Sequence, residues 1–274
     1  MSKLKLLPTL FLLIGFQSPV VATELDQPTI NQQELTQPEK EIRDSQIKQM
    51  IKAADDYRLD NAAAKVVSEV LLYKNNELDK TRQYTVYMRE NRESLVLFNS
   101  QVEAGQKMLM LGDNYWLLMP KSRRPIRITP MQKLLGEASV GDISTLTWSD
   151  DYQGQWQLSE SLTLENGKQV QTEKLKLNAI TKGASYFTID LWLEQGTHFP
   201  IKADLYLRSG RMAKEAWFIK GIREGETKVI SMVLNDRIQT NQKTVIEYKE
   251  IVPTDIADKY YNPAYLSRTK QLDL

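Results

Sequence analysis

Apolar and polar residues alternate along this chain in two rhythms. From Glu39 to Tyr57, the residues Ile42, Ile47, Met50, Ile51 and Ala54 recur at helical spacing, with Glu, Lys, Gln and Asp opposite them. The spacing predicts one amphipathic helix that needs a surface to cover. Beyond about Ala64 the period falls to two. Leu175, Leu177 and Ala179 alternate with Lys174, Lys176 and Asn178. Phe187, Ile189, Leu191 and Leu193 alternate with Tyr186, Thr188, Asp190 and Trp192, and Ile201, Ala203, Leu205 and Leu207 with Lys202, Asp204 and Tyr206. Each run reads as a strand with one buried face.

Turn residues separate these runs, at Lys182-Gly183-Ala184 and at Glu194-Gln195-Gly196-Thr197. Further strands are expected near Lys65–Tyr73, Gln83–Arg89, Ser94–Phe98, Lys107–Leu111, Tyr115–Met119, Gln155–Leu164, Ala213–Ile219, Val229–Leu234 and Thr244–Ile251. Short connections between successive strands imply antiparallel pairing, because a parallel pair needs a long crossover. The expected fold is therefore mainly β within an α+β class: a curved antiparallel sheet or incomplete β-barrel, covered by helices. One long interruption, Pro120 to about Tyr152, holds the basic run Lys121 to Ile128, a short helix expected over Met131–Leu135, and the pair Asp150-Asp151. Long connections in β domains often carry binding function.

The N-terminus changes the picture. Lys3 and Lys5 precede the apolar run Leu6 to Phe16, and the small-residue sequence Val20-Val21-Ala22 follows. This is the order of a secretory signal, and the run is shorter than the roughly 20 residues of a spanning helix. Cleavage is expected after Ala22. Residues 23–38, rich in Gln, Glu and Thr, read as a flexible leader, and residues 39–274 as a single domain. No later segment is apolar enough to span a membrane as a helix. The chain has no cysteine, so neither a disulfide nor a lipid-anchored cysteine is expected. Lys plus Arg number 36 against 35 Asp plus Glu, a balance that gives no field for nucleic acid.

The segment from Leu111 to Ile128, with Asp113-Asn114-Tyr115-Trp116, Pro120, the pair Arg123-Arg124 and Arg127, resembles the signature of the outer membrane lipoprotein-sorting protein family, the LolA-like domains. Leu135-Gly136-Glu137-Ala138-Ser139 to Asp142-Ile143, Pro200-Ile201-Lys202-Ala203 to Gly210 and Lys214, and Tyr261-Asn262-Pro263-Ala264-Tyr265-Leu266 are similar to further parts of it, with Tyr261 where the family usually has Phe. The similarity extends over roughly Glu39 to Arg268. It implies a half-open antiparallel barrel with an apolar concave face, and a periplasmic carrier of lipoprotein acyl chains or another amphiphile. It also implies a possible alternative: a protein-binding module of the envelope, accessory to an inner-membrane exporter of the resistance-nodulation-division type or a sensor of lipoprotein stress.

The chemistry agrees. A sheet with a helix over it can enclose apolar space, and burying an acyl chain gains about 0.8 kcal/mol per methylene. For a sixteen-carbon chain that is on the order of 12 kcal/mol before ordering costs. Trp116, Leu118, Trp156, Leu158, Phe187, Ile189, Leu191 and Met232 are the candidate cavity residues, against the alternative of ordinary core packing. Lys121, Arg123, Arg124 and Arg127 are candidates to meet an anionic head group or acidic partner at the rim, or to guard an edge strand. No catalytic residue, cofactor or metal is expected. The one histidine, His198, sits in a turn, no G-x-S-x-G elbow occurs, and Asp142, Asp150 and Asp151 read as a solvated acidic loop.

Overall fold

A computed structural model describes residues 37–59, 63–129, 142–143 and 147–268, all within one compact unit that begins at Gln37. The signal segment, most of the leader and the helix expected over Met131–Leu135 lie outside the described residues.

The amphipathic segment forms α1, Gln37–Asp56. The alternating segments then form β1 (Ala64–Lys74), β2 (Glu77–Arg89), β3 (Glu93–Phe98), β4 (Lys107–Leu111), β5 (Asn114–Leu118) and β6 (Ile126–Ile128). After the long connection come β7 (Tyr152–Thr163), β8 (Gln169–Ala179), β9 (Thr188–Glu194), β10 (Pro200–Tyr206), β11 (Met212–Arg223), β12 (Glu226–Asp236) and β13 (Gln242–Pro253). All lie in one open antiparallel sheet, in the order β6-β5-β4-β3-β2-β1-β13-β12-β11-β10-β9-β8-β7. Twelve of the strands fall where the alternation places them. β6 does not, because its three residues follow Pro125 and are too few to show a period.

The sheet has two faces of different character. On the inner face, Val66, Val70, Leu175, Leu191, Ala203 and Ala216 are each almost wholly buried, and α1 lies over them, burying Ile47, Ile51 and Ala54. Ile42, expected on the same side of the helix, is instead 60% exposed. The helix approaches β7 closely at Gly154, where an added Cβ would lie 2.7 Å from both Ile47 Cγ2 and Ile51 Cδ1. On the outer face, the C-terminal segment after Thr254 lays Ile256, Tyr260, Tyr261 and Leu266 over Tyr87, Leu95 and Leu109.

Two alternating runs depart from a simple in-and-out reading. Trp192 and Asp204, expected on a wet face, are buried. The ammonium groups of Lys174 and Lys202 each lie 4.5 Å from the centre of the Trp192 ring, so long side chains cover what no second layer covers. Phe187, expected inside, is 44% exposed at the end of the sheet, with the Arg208 guanidinium 4.9 Å from its ring centre.

Candidate functional site

The C-terminal end of α1 carries the first polar residues to enter the inner face. Ile47, Ile51 and Asp55 are spaced by four, as are Ala54 and Arg58, so the apolar side of the helix runs directly into two oppositely charged residues. Asp55 is 1% exposed and Arg58 3%. The Asp55 carboxylate accepts the backbone N–H of Trp148 (2.7 Å) and Ser149 (2.8 Å). Arg58 lies with its guanidinium carbon 4.0 Å from the centre of the Trp148 ring and 5.6 Å from that of Phe218. Around it stand Asp142 and the buried Tyr248. Asp142 in turn accepts from the Tyr186 hydroxyl (2.6 Å) and from Lys214 Nζ (2.5 Å).

Burial dominates the electrostatics. It pushes the Asp55 carboxyl up to about 6, against the lowering pull of Arg58 and of the two backbone N–H groups. It pulls the Arg58 guanidinium down, while Tyr248, Asp55 and Asp142 pull it back up. The network borders a cavity of about 40 Å³ lined by Arg58, Asp142, Trp148, Tyr186, Ile189 and Met232 among others. Since one water needs roughly 10–15 Å³ of such space, that is room for on the order of three water molecules. A larger recess of about 410 Å³ borders the same core at Val170, Phe199, Ile201 and Phe218.

α1 is anchored at its C-terminal end. Its C-terminal end is fastened by Asp55, by Val229 N donating to Tyr57 O (2.8 Å), and by the Tyr57 hydroxyl donating to Thr197 O (3.1 Å). Residues 39–46 are all exposed, and the Arg43 guanidinium lies over Trp156, 5.4 Å from the ring centre.

The eight candidate cavity residues do not form one set. Ile189 and Met232 line the cavity, and Leu191 is buried beside them on the inner face. Trp116 and Leu118 belong to the outer face, packed under the C-terminal segment. Trp156 and Leu158 are 38% and 42% exposed. They point to opposite faces, because Trp156 pairs with Leu175 and Leu158 with its neighbour Lys174, across a β-bulge at Gln157. Of the basic residues, Arg127 lies in the edge strand β6 and donates to Asn114 Oδ1. Lys121, Arg123 and Arg124 are exposed beside Met119 and Ile126, which are 42% and 54% exposed.

The segment around Trp116 acts as a clasp. Asp113 Oδ1 takes Arg92 Nη1 (2.8 Å) and the N–H of Gly183 (2.9 Å), and the Tyr115 hydroxyl donates to Gly183 O (2.5 Å). Asp113 and Tyr115 so tie the β4–β5 hairpin to the β8–β9 loop. Trp116, next along the strand, packs on the other face against the cluster that holds Tyr261 and Leu266. The two sequence motifs most distant in the chain therefore meet.

A family model for an uncharacterized protein family matches residues 90–268. A LolA superfamily protein from Nitrosomonas europaea superposes with a TM-score of 0.71 at 25% identity, over 80% of this chain and 98% of that one. The chain belongs to the LolA-like family. Two further solved structures, both at 18% identity, show the same fold. A DUF1329 family protein from Desulfovibrio piger has a TM-score of 0.64 over 82% of this chain and 99% of its own. A domain from Vibrio parahaemolyticus described as an outer membrane lipoprotein-sorting protein has a TM-score of 0.61 over 80% and 98%. No curated protein matches the sequence. Among the described residues, no helix is long and apolar enough to cross a membrane.

Proposed function

We infer that this LolA-like protein is an exported carrier of amphiphiles, working in the periplasm after removal of residues 1–22, with residues 39–274 as its single carrier domain. Its cargo is the acyl chains of lipoproteins or of another lipid, and its role is binding rather than catalysis. The observation that carries this reading is the covering of a wide apolar sheet face by the helix α1. Lifting α1 about its C-terminal anchor would open apolar surface at Leu175, Leu191 and Trp156. The Arg58–Asp55–Asp142 cluster would stay behind as the closed end of the cleft. Acyl burial of the magnitude given above is large enough to offset the opening of a few helix contacts.

The test is native mass spectrometry of the protein extracted from the envelope without detergent, with lipid analysis of what is released, and titration with a fluorescent fatty acid. A stoichiometric lipid or acylated peptide is the expected result. A protein that is empty and also excludes the fluorescent probe would overturn the reading. A second reading, a protein-binding module that is accessory to an inner-membrane exporter or senses lipoprotein stress, is favoured by one observation. Lys121, Arg123 and Arg124 stand in solvent beside exposed apolar Met119 and Ile126, which suits an acidic, partly apolar partner surface.

A further inference from the structure

The open sheet has two edges, and they are built differently. β6 is three residues long, follows Pro125, and is flanked by Lys121, Arg123 and Arg124. Shortness, proline and positive charge are the devices that stop an edge strand from pairing with another chain. β7, at the other edge, is twelve residues long and reads YQGQWQLSESLT. It has no proline and no lysine, and Glu160 is its one charged residue. The bulge at Gln157 leaves the stretch from Leu158 to Thr163 regular, each residue in step with β8.

The outward-facing groups of that stretch follow from the hairpin itself. Leu164 N donates to Lys168 O at 2.8 Å. Stepping back by two in the register, Leu162, Glu160 and Leu158 direct their N–H and C=O toward β8. Ser159, Ser161 and Thr163 direct theirs away from the sheet. We propose that this edge pairs with the same edge of a second copy, β7 against β7 in antiparallel orientation, about a two-fold axis at Ser161.

The side chains fit that axis. It sets Ser161 opposite itself and Ser159 opposite Thr163 of the partner subunit, all of them residues with free outward N–H and C=O groups, and it places hydroxyls across from hydroxyls on one face. On the other face, Leu158 meets the partner subunit's Leu164, and Glu160 meets the partner subunit's Leu162. Leu158 is 42% exposed in the single chain, while Leu162 and Leu164 are half-buried. The single charge is never set opposite its own copy. The contact is isologous and closed. Because it rests on one strand from each chain, the dimer is a weak, concentration-dependent one. This proposal is independent of what the inner face binds.

The absence of cysteine makes the test direct. In a hydrogen-bonded antiparallel pair the Cα atoms are about 5.5 Å apart, within the range a disulfide spans, roughly 4.4–6.8 Å. Under mild copper-catalysed oxidation, Ser161→Cys is expected to give a covalent dimer readily. Gln155→Cys, on the same exposed strand but far from the axis, is expected to give little. Analytical ultracentrifugation of the exported wild-type protein is expected to show dimer at high micromolar concentration. Ser161→Pro removes one outward donor from each chain and leaves the bonds to β8 in place, so its dimer should form only at about tenfold higher concentrations, in a tenfold rise of Kd. The proposal is overturned if the wild-type protein is monomeric throughout, or if the two cysteine variants crosslink alike. Should Ser161→Pro fold poorly, the cysteine pair still decides.

Discussion

Asp55 carries the sharpest consequence of a single side chain. Its folded pKa, about 6, stands above the ordinary carboxylate value of 3.8. The folded state therefore holds more protons than the unfolded state between those values, and stability falls as pH rises from about 4 to 6. A shift of that size corresponds to about 3 kcal/mol of stability present in acid and lost above pH 6. In urea unfolding followed across pH 4 to 7, Asp55→Asn should flatten this slope. A variant that keeps the wild-type slope would show that another group is responsible. Asp55 and Arg58 were also the residues that pattern reading passed over. They stand in the charged string Asp55-Asp56-Tyr57-Arg58, which looks like the solvated end of a helix. The signal was present in the spacing by four from Ile51 and Ala54, which continues the apolar side of α1 into them.

At the scale of elements, the C-terminal segment performs the work that a second helix layer would do on the outer face. Tyr261 is 5% exposed and lies under the Arg89 guanidinium, 4.0 Å from its ring centre, while Arg89 Nη1 also pairs with Asp258 at 2.5 Å. Tyr261→Ala should destabilise by roughly 3–5 kcal/mol, the range for emptying an aromatic site. It should also shift tryptophan emission to the red as Trp116 gains water. A loss below about 1 kcal/mol would mean that the segment is not part of the cooperative fold. Strand positions were legible because stretches with a period of two survive in most of the long strands, such as β1 and β8. The assignment of side chains to faces was less legible: Trp156-Gln157-Leu158 reads as perfect alternation, and nothing in those letters announces a bulge that turns Leu158 to the other side. The tryptophan of the family signature likewise looks like a cavity residue until the position of the chain's last turn is known.

For the molecule as a whole, the balance between α1 and the sheet decides whether the inner face is open or closed. Gly154 is a point of close approach, and Gly154→Ala would put a methyl 2.7 Å from Ile47 and Ile51. Overpacking of this kind costs typically 1–3 kcal/mol, and here it weakens the closed arrangement specifically. The expected outcome is a lower urea midpoint together with tighter fluorescent fatty acid binding, since a closed population that must be opened first lowers apparent affinity. Reduced stability with unchanged or weaker binding would argue that α1 does not gate the face.

The strand order has a bearing on how the protein is made. Every neighbouring pair in the sheet is joined by a connection between successive strands, except β1 and β13. Hairpins of that kind form early and locally, whereas β1 must wait for Gln242–Pro253, which is synthesised almost last. During synthesis β1 is therefore a temporary edge, its Val66 and Val70 uncovered on one side, and the nascent chain is most exposed to misassembly in the interval before its thirteenth strand arrives.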